Sequence, residues 1–277
     1  MQTLTRWLLI AALALPCASP AGAVTVFGQF DGNTVVIDPL RIDLAGSGYE
    51  IKTDLAAGTF RSRAASPAGP RTQNAYTGTL SPLRLTNNGT NPLILPPGFV
   101  SMHVHGTYAL GSRAESQQSA TSSGVLSVSI AGVQTVARAD HTVSRIVLEN
   151  GNVGGESNTF DAAIELNGGQ VVPITASMSE VEYQLLMPRL VVDPGQTLSL
   201  TLLLAPSAAA FANGIASADF LNTAELSVRL PRGFPRDAID TDASVPLGFI
   251  TAVPLPASLW LMPCALALLC GRRPGLH

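Results

Sequence analysis

The twelve residues FVSMHVHGTYAL, at positions 99–110, alternate between two kinds of side chain. One set, which includes His103 and His105, is mostly polar, and the other, which includes Val100 and Met102, is mostly apolar. Successive side chains of a β-strand point to opposite faces of a sheet, so this alternation is typical of a half-buried strand. The stretch therefore predicts a strand with one face in a core and the other face in solvent.

Short apolar and β-branched runs of the same kind continue on both sides of this strand. Turn signals separate them, and two are strong: Asp31-Gly32-Asn33 is typical of a hairpin, and Asp193-Pro194-Gly195-Gln196 supplies the dihedral angles of a reverse turn. We therefore predict an all-β fold, an antiparallel β-sandwich, in one domain over residues 24–231. Residues 232–252 lose the alternation and are predicted to be a spacer.

Three segments inside the predicted domain break the pattern. Residues 60–75 are rich in Arg, Ser, Ala, Pro and Gly, and residues 111–124 are rich in Ser and Gln. Both are predicted to be loops, because neither has an apolar period. A boundary between two domains at residues 60–75 is the alternative to the single sandwich. Residues 205–216 are rich in alanine, and one or two turns of helix are predicted there.

Composition excludes some classes of function. Charged residues make up only 13% of the chain and the net charge is −3. The sequence has no basic patch of the kind that would indicate binding to nucleic acid. The three cysteines, Cys17, Cys264 and Cys270, lie near the two ends. Residues 24–252 therefore contain no disulfide and no thiol chemistry, and their stability must come from burial of a core.

The first 23 residues have the order of a secretory signal peptide. Arg6 precedes an apolar stretch, and Ala21-Gly22-Ala23 has the small residues of a cleavage site. We expect signal peptidase to cleave between Ala23 and Val24. A lipoprotein signal at Cys17 is the alternative, and Pro16 immediately before that cysteine argues against it.

The last 25 residues, 253–277, have the order of a second targeting segment. A short proline-containing motif comes first, an uncharged apolar run follows to Gly271, and two arginines end it. The run is near the lower limit of about 20 apolar residues that span a bilayer as one helix, and arginines after it are typical of a helix end at the cytoplasmic face. A single C-terminal transmembrane helix is therefore predicted.

This C-terminal segment resembles the PEP-CTERM sorting signals of Gram-negative bacteria, in the variant that begins with Val-Pro-Leu-Pro-Ala. The motif and the basic end of that family fall on seven residues: Val253, Pro254, Leu255, Pro256, Ala257, Arg272 and Arg273. The resemblance implies that an exosortase, a membrane transpeptidase-like enzyme, recognises the chain. It also implies delivery to the cell surface or to extracellular polysaccharide. A plain C-terminal membrane anchor is the alternative.

Residues that could carry chemistry are few. His103 and His105 are two positions apart and lie on one face of the predicted strand, as two ligands of a metal would. Such a site needs further ligands, and His141 and Glu115 are the nearest choices. We favour exposed polar residues over a metal site. No catalytic, cofactor-binding or metal-binding residue is therefore predicted, no cofactor is expected, and the chain is not expected to be an enzyme.

These patterns describe where the chain goes better than what it does there. We expect an exported structural protein that passes through the inner membrane and then resides at the cell surface or in the extracellular matrix. A carbohydrate-binding or adhesive module is the first alternative. Such modules stack sugars on aromatic side chains, whereas both tryptophans, Trp7 and Trp260, lie in the targeting segments. A hydrolase with a site visible only in three dimensions is the second alternative.

Overall fold

A computed structural model describes residues 26–30, 33–37, 41–46, 49–54, 57–66, 71–79, 82–165, 168–241 and 250–252. Within these residues the chain forms β-strands and one turn of 3-10 helix, Arg236–Ala238. The strands are β1 Val26–Phe30, β2 Asn33–Ile37, β3 Arg41–Gly46, β4 Tyr49–Asp54, β5 Thr59–Ser66, β6 Arg71–Thr79, β7 Leu83–Asn87, β8 Leu93–Leu95, β9 Val100–Ile130, β10 Val133–Val147, β11 Val153–Glu165, β12 Gln170–Ala176, β13 Glu180–Leu186, β14 Leu190–Val192, β15 Thr197–Leu230, β16 Ile239–Thr241 and β17 Ile250–Ala252.

Two very long antiparallel strands, β9 and β15, organise the fifteen-stranded sheet. Their pairing runs from Val100 beside Val228 to Ile130 beside Leu198, and its register shifts twice, between Asp219 and Thr223 and between Ala212 and Gly214. A shift of this kind is a bulge, and bulges bend strands. The bulge at Ala212 divides each long strand into two parts, and each part belongs to a different half of the sheet.

The first half of the sheet has the order β12-β13-β9-β15-β5-β4-β3 and uses residues 100–110 of β9. The second half has β11, β10, residues 116–130 of β9 and the first part of β15. Beyond β15 this half continues through β6 to β1 and β2, and through β7 to β16. Strands β8 and β14 form a separate two-stranded sheet.

The inward faces of the two halves touch each other. Tyr183 of the first half packs against Phe160 of the second, with ring centroids 5.8 Å apart. Leucines supply much of the apolar surface, and Leu126, Leu198 and Leu204 are completely buried. Burying one such side chain contributes about 1.5–3 kcal/mol, so these faces provide the stability that a cysteine-free domain needs.

The all-β prediction is confirmed for the described residues, whose pairings are antiparallel apart from the parallel pair of β15 and β17. The predicted hairpin before Asn33 is confirmed by the pairing of β1 with β2. The predicted reverse turn is also confirmed, because Gln196 N donates to Asp193 O and Gly195 has a φ of 78°.

The three segments without an apolar period were predicted wrongly. Residues 60–75 contain most of β5 and the start of β6, residues 111–124 belong to β9, and residues 205–216 belong to β15. The alternation is present in burial rather than in hydropathy, because the inward positions carry small or polar residues. Examples are Ser62 and Ala64, which are completely buried although their neighbours on β5 are not.

The described part of the predicted spacer, residues 232–252, also belongs to the folded body. Its strands β16 and β17 pair with β7 and β15, and Ile239 is buried. In the part of the chain that the structure describes, no helix has the length and apolar character to cross a membrane. The predicted signal peptide, residues 1–23, and the predicted C-terminal helix lie outside the described residues.

Candidate functional site

The outward face of the first half carries two histidine–glutamate pairs. His103 Nε2 lies 2.9 Å from Glu182 Oε1, and His105 Nε2 lies 2.8 Å from Glu180 Oε1. Each pair joins β9 to β13, and its side chains are partly exposed. His103 and His105 therefore share one face, as predicted, and each ring holds a carboxylate of the neighbouring strand.

The residues considered as further metal ligands do not join this face. His141 is completely buried on β10, and Glu115 lies exposed on β9 beyond the first half of the sheet. Across the described ranges, no three His, Cys, Asp or Glu side chains are grouped so that they could hold a metal ion. The two hydrogen bonds on this face tie β13 to β9.

A chain of hydrogen bonds connects the buried side chains of Ser122, Tyr108 and His141 with the exposed Asn158 and so joins the two halves. Ser122 Oγ lies 2.9 Å from Tyr108 Oη, and Tyr108 Oη lies 3.0 Å from His141 Nδ1. His141 Nε2 lies 2.6 Å from Asn158 Oδ1, and Asn158 Nδ2 donates to Ala176 O. The chain therefore links both parts of β9 to β10, β11 and the end of β12.

The geometry fixes where the protons of this chain lie. The amide oxygen of Asn158 can only accept, so His141 carries its proton on Nε2. Nδ1 of the neutral ring then accepts from the Tyr108 hydroxyl, whose oxygen accepts from Ser122. Burial lowers the pKa of His141 below its ordinary value, against the opposing hydrogen bond to Asn158. Burial also raises the pKa of Tyr108, so both groups are neutral at neutral pH.

The stability of the domain should fall in acid because of His141. The unfolded chain takes up a proton near pH 6.5, whereas the folded chain does so only at lower pH. Between these values the unfolded state binds more protons than the folded state. The free energy of unfolding therefore keeps its full value above about pH 6.5 and decreases as the pH falls.

We expect His141→Gln to reduce this decrease between pH 7.5 and pH 5, measured by urea denaturation. His103→Gln is the matched control. It leaves His141 in place, so the decrease in the free energy of unfolding that His141 causes in acid should remain. An H141Q variant as acid-sensitive as the parent would contradict the expectation.

A groove of about 500 Å³ lies between the loop after β7 and the segment after β15, outside both features described above. One wall is formed by residues 88–92 and 94 and the other by residues 231–235 and 238, and Asn88 N donates to Ala238 O between them. Phe234 packs against the core and lines the groove. The groove therefore offers apolar surface beside polar loop groups. Sequence patterns did not reveal it, because its walls, which begin at Asn88 and Pro231, are far apart in the chain, and nearly all of the second wall lies in the predicted spacer.

One buried side chain shapes the first wall. Asn87 Nδ2 donates to Asn91 O and to Val192 O, each at 2.9 Å, and Gly89 N donates to Asn87 Oδ1. The side chain is completely buried. Asn87 therefore holds the loop after β7 in one conformation and ties it to β14.

The residues predicted to act in sorting and processing lie outside the described residues. They are Ala23, Val24, Val253, Pro254, Leu255, Pro256, Ala257, Arg272 and Arg273. The chain is described up to Ala252, immediately before the motif. Comparisons with family models, with curated proteins and with solved structures find no match to this chain.

Proposed function

We propose that this chain is an exported, exosortase-processed structural protein of the cell surface or extracellular polysaccharide of a Gram-negative bacterium, and not an enzyme. One observation carries the proposal: the order of proline motif, uncharged apolar run and basic end over residues 253–273. The signal-peptide pattern before Val24 supports it, since export must precede sorting at the surface. Signal peptidase and an exosortase are the processing partners, and the membrane holds the chain in transit.

The described body is consistent with a structural role. The histidines His103, His105 and His141 each bond to a neighbouring strand or to the interior chain of hydrogen bonds. Their contacts stabilise the sheet. A domain without cysteines keeps the same covalent structure in an oxidising extracellular compartment.

The fold that we propose for the mature domain is a β-sandwich whose two layers are the two halves of the sheet. Contacts between inward faces support this architecture, notably Tyr183 with Phe160 and Tyr108 with Ser122. The long strands β9 and β15 would then contribute to both layers, bending at the register shift near Ala212. Such a body would leave the outward faces of both layers accessible to extracellular polysaccharide.

Sorting should depend on the motif and not on hydrophobicity alone. In a Gram-negative host that has an exosortase, we expect the parent to leave the inner membrane and appear in the surface or extracellular fraction. Replacing Pro254 and Pro256 with Ala should leave the variant in the inner membrane, because the apolar run still drives insertion. Cell fractionation with an antibody to the domain measures the distribution.

The control for this experiment is the same pair of proteins in a host without an exosortase, where both should remain in the inner membrane. The intact mass of the parent should show an N-terminus at Val24 and loss of a C-terminal piece. Equal distributions of parent and variant in the first host would favour a plain anchor. A lipid-modified Cys17 would overturn cleavage before Val24.

A further inference from the structure

Strand β17, which in sequence immediately precedes the C-terminal motif, ends close to the groove. It pairs in parallel with the end of β15, and the last pair is Leu230 beside Ala252. Adjacent strands are about 4.8 Å apart, so β17 ends beside Leu230, the residue immediately before Pro231. Pro231 is the first residue of the second groove wall. The last described residue before the motif therefore lies close to the start of this wall.

The lining of the groove suits a segment with alternating prolines. Phe234 offers an aromatic surface, Pro92 and Ile94 add apolar surface, and Asn91 and Arg232 are polar. Aromatic-lined grooves bind proline-rich segments because such segments are already extended and their carbonyl groups are free to accept hydrogen bonds.

The motif itself has this character. Val253, Pro254, Leu255, Pro256 and Ala257 alternate apolar residues with prolines. A five-residue extended segment spans at most roughly 17 Å. A volume of about 500 Å³ is within the range of sites that enclose small ligands.

We propose that the groove receives residues 253–257 of the same chain before processing, so that the motif is held against the domain until the processing enzyme takes it. The biological meaning of this docking rests on the proposed sorting function, whereas the contact itself does not. The occupant is the chain's own segment because no linker separates it from β17. A directly tethered segment has an effective concentration of the order of millimolar, so even a weak contact is populated.

Disulfide trapping in the purified full-length mature chain, in detergent and without any exosortase, tests the contact. In a background with Cys264→Ser and Cys270→Ser, we combine Thr90→Cys, on the exposed first wall, with Leu255→Cys. A disulfide needs two Cα atoms within about 7 Å. We expect rapid formation of the intramolecular crosslink on mild oxidation, measured as a shift in electrophoretic mobility.

Two matched variants decide the outcome. Glu149→Cys with Leu255→Cys places the first cysteine at another exposed turn, after β10, and should crosslink at least tenfold more slowly. Adding Pro254→Ser and Pro256→Ser to the Thr90 pair should slow its crosslink several-fold, because the segment loses its extended preference. Equal rates for the Thr90 and Glu149 pairs, or no effect of the serines, would overturn the docking. Failure of sorting in cells with a normal crosslink would overturn the sorting function alone.

Discussion

Gly106→Ala is expected to lower the free energy of unfolding by about 2–3 kcal/mol, measured by guanidinium denaturation. Gly106 lies on the inward face of β9, and a Cβ built on it would overlap the ring of Phe220. That ring is completely buried and packs edge-on against Tyr108, with centroids 5.8 Å apart. Because neighbours enclose the ring, it cannot move aside, and the added methyl group must strain the core.

A matched control on the same strand separates this clash from the general effect of replacing glycine in a strand. A Cβ at Gly111 would meet no atom within 4 Å, so Gly111→Ala should leave stability unchanged or raise it slightly. The double variant Gly106→Ala with Phe220→Leu should lose less stability than the sum of the two single changes, since the shorter side chain relieves the overlap. Strict additivity, or an equal loss at Gly111, would contradict the packing that the structure shows.

The fold class could be predicted from sequence where inward positions are apolar, as in residues 99–110, because hydropathy and burial then have the same period. It could not be predicted where β9 and β15 bury small or polar residues. Gln118, Ala120 and Ser122 are inward, but their hydropathy does not differ enough from that of their neighbours. These residues are strands because of pairing with segments far away in the chain, which a local pattern does not contain.

The candidate sites show the same limit. The common face of His103 and His105 follows from their spacing alone, so it could be predicted. Their partners Glu180 and Glu182 come from a strand about 75 residues later, and only the pairing of β9 with β13 identifies them. The second groove wall follows Leu230, and the sequence after Leu230 shows no alternation that would predict the strands β16 and β17.

Asn87→Ala is expected to lower the free energy of unfolding by about 3 kcal/mol, which is a large loss for a single polar residue. The substitution removes three hydrogen bonds of a completely buried side chain. The bond to Val192 O matters most, because Val192 is also buried and its carbonyl group would have no water to replace the amide. An unsatisfied buried acceptor costs about 1–3 kcal/mol, and each lost bond adds roughly 1 kcal/mol.

The neighbouring residue provides the control for Asn87. Asn88 is exposed, so Asn88→Ala should change the free energy of unfolding by less than about 0.5 kcal/mol. Asn87→Asp keeps the acceptor for Gly89 N but loses both donors, so it should be at least as destabilising as the alanine variant.

Because Asn87 fixes the first groove wall, Asn87→Ala should also slow the crosslink between Thr90→Cys and Leu255→Cys under conditions where the variant remains folded. A stable variant with an unchanged crosslink would show that the wall keeps its conformation without Asn87, and the role assigned to this side chain would be wrong.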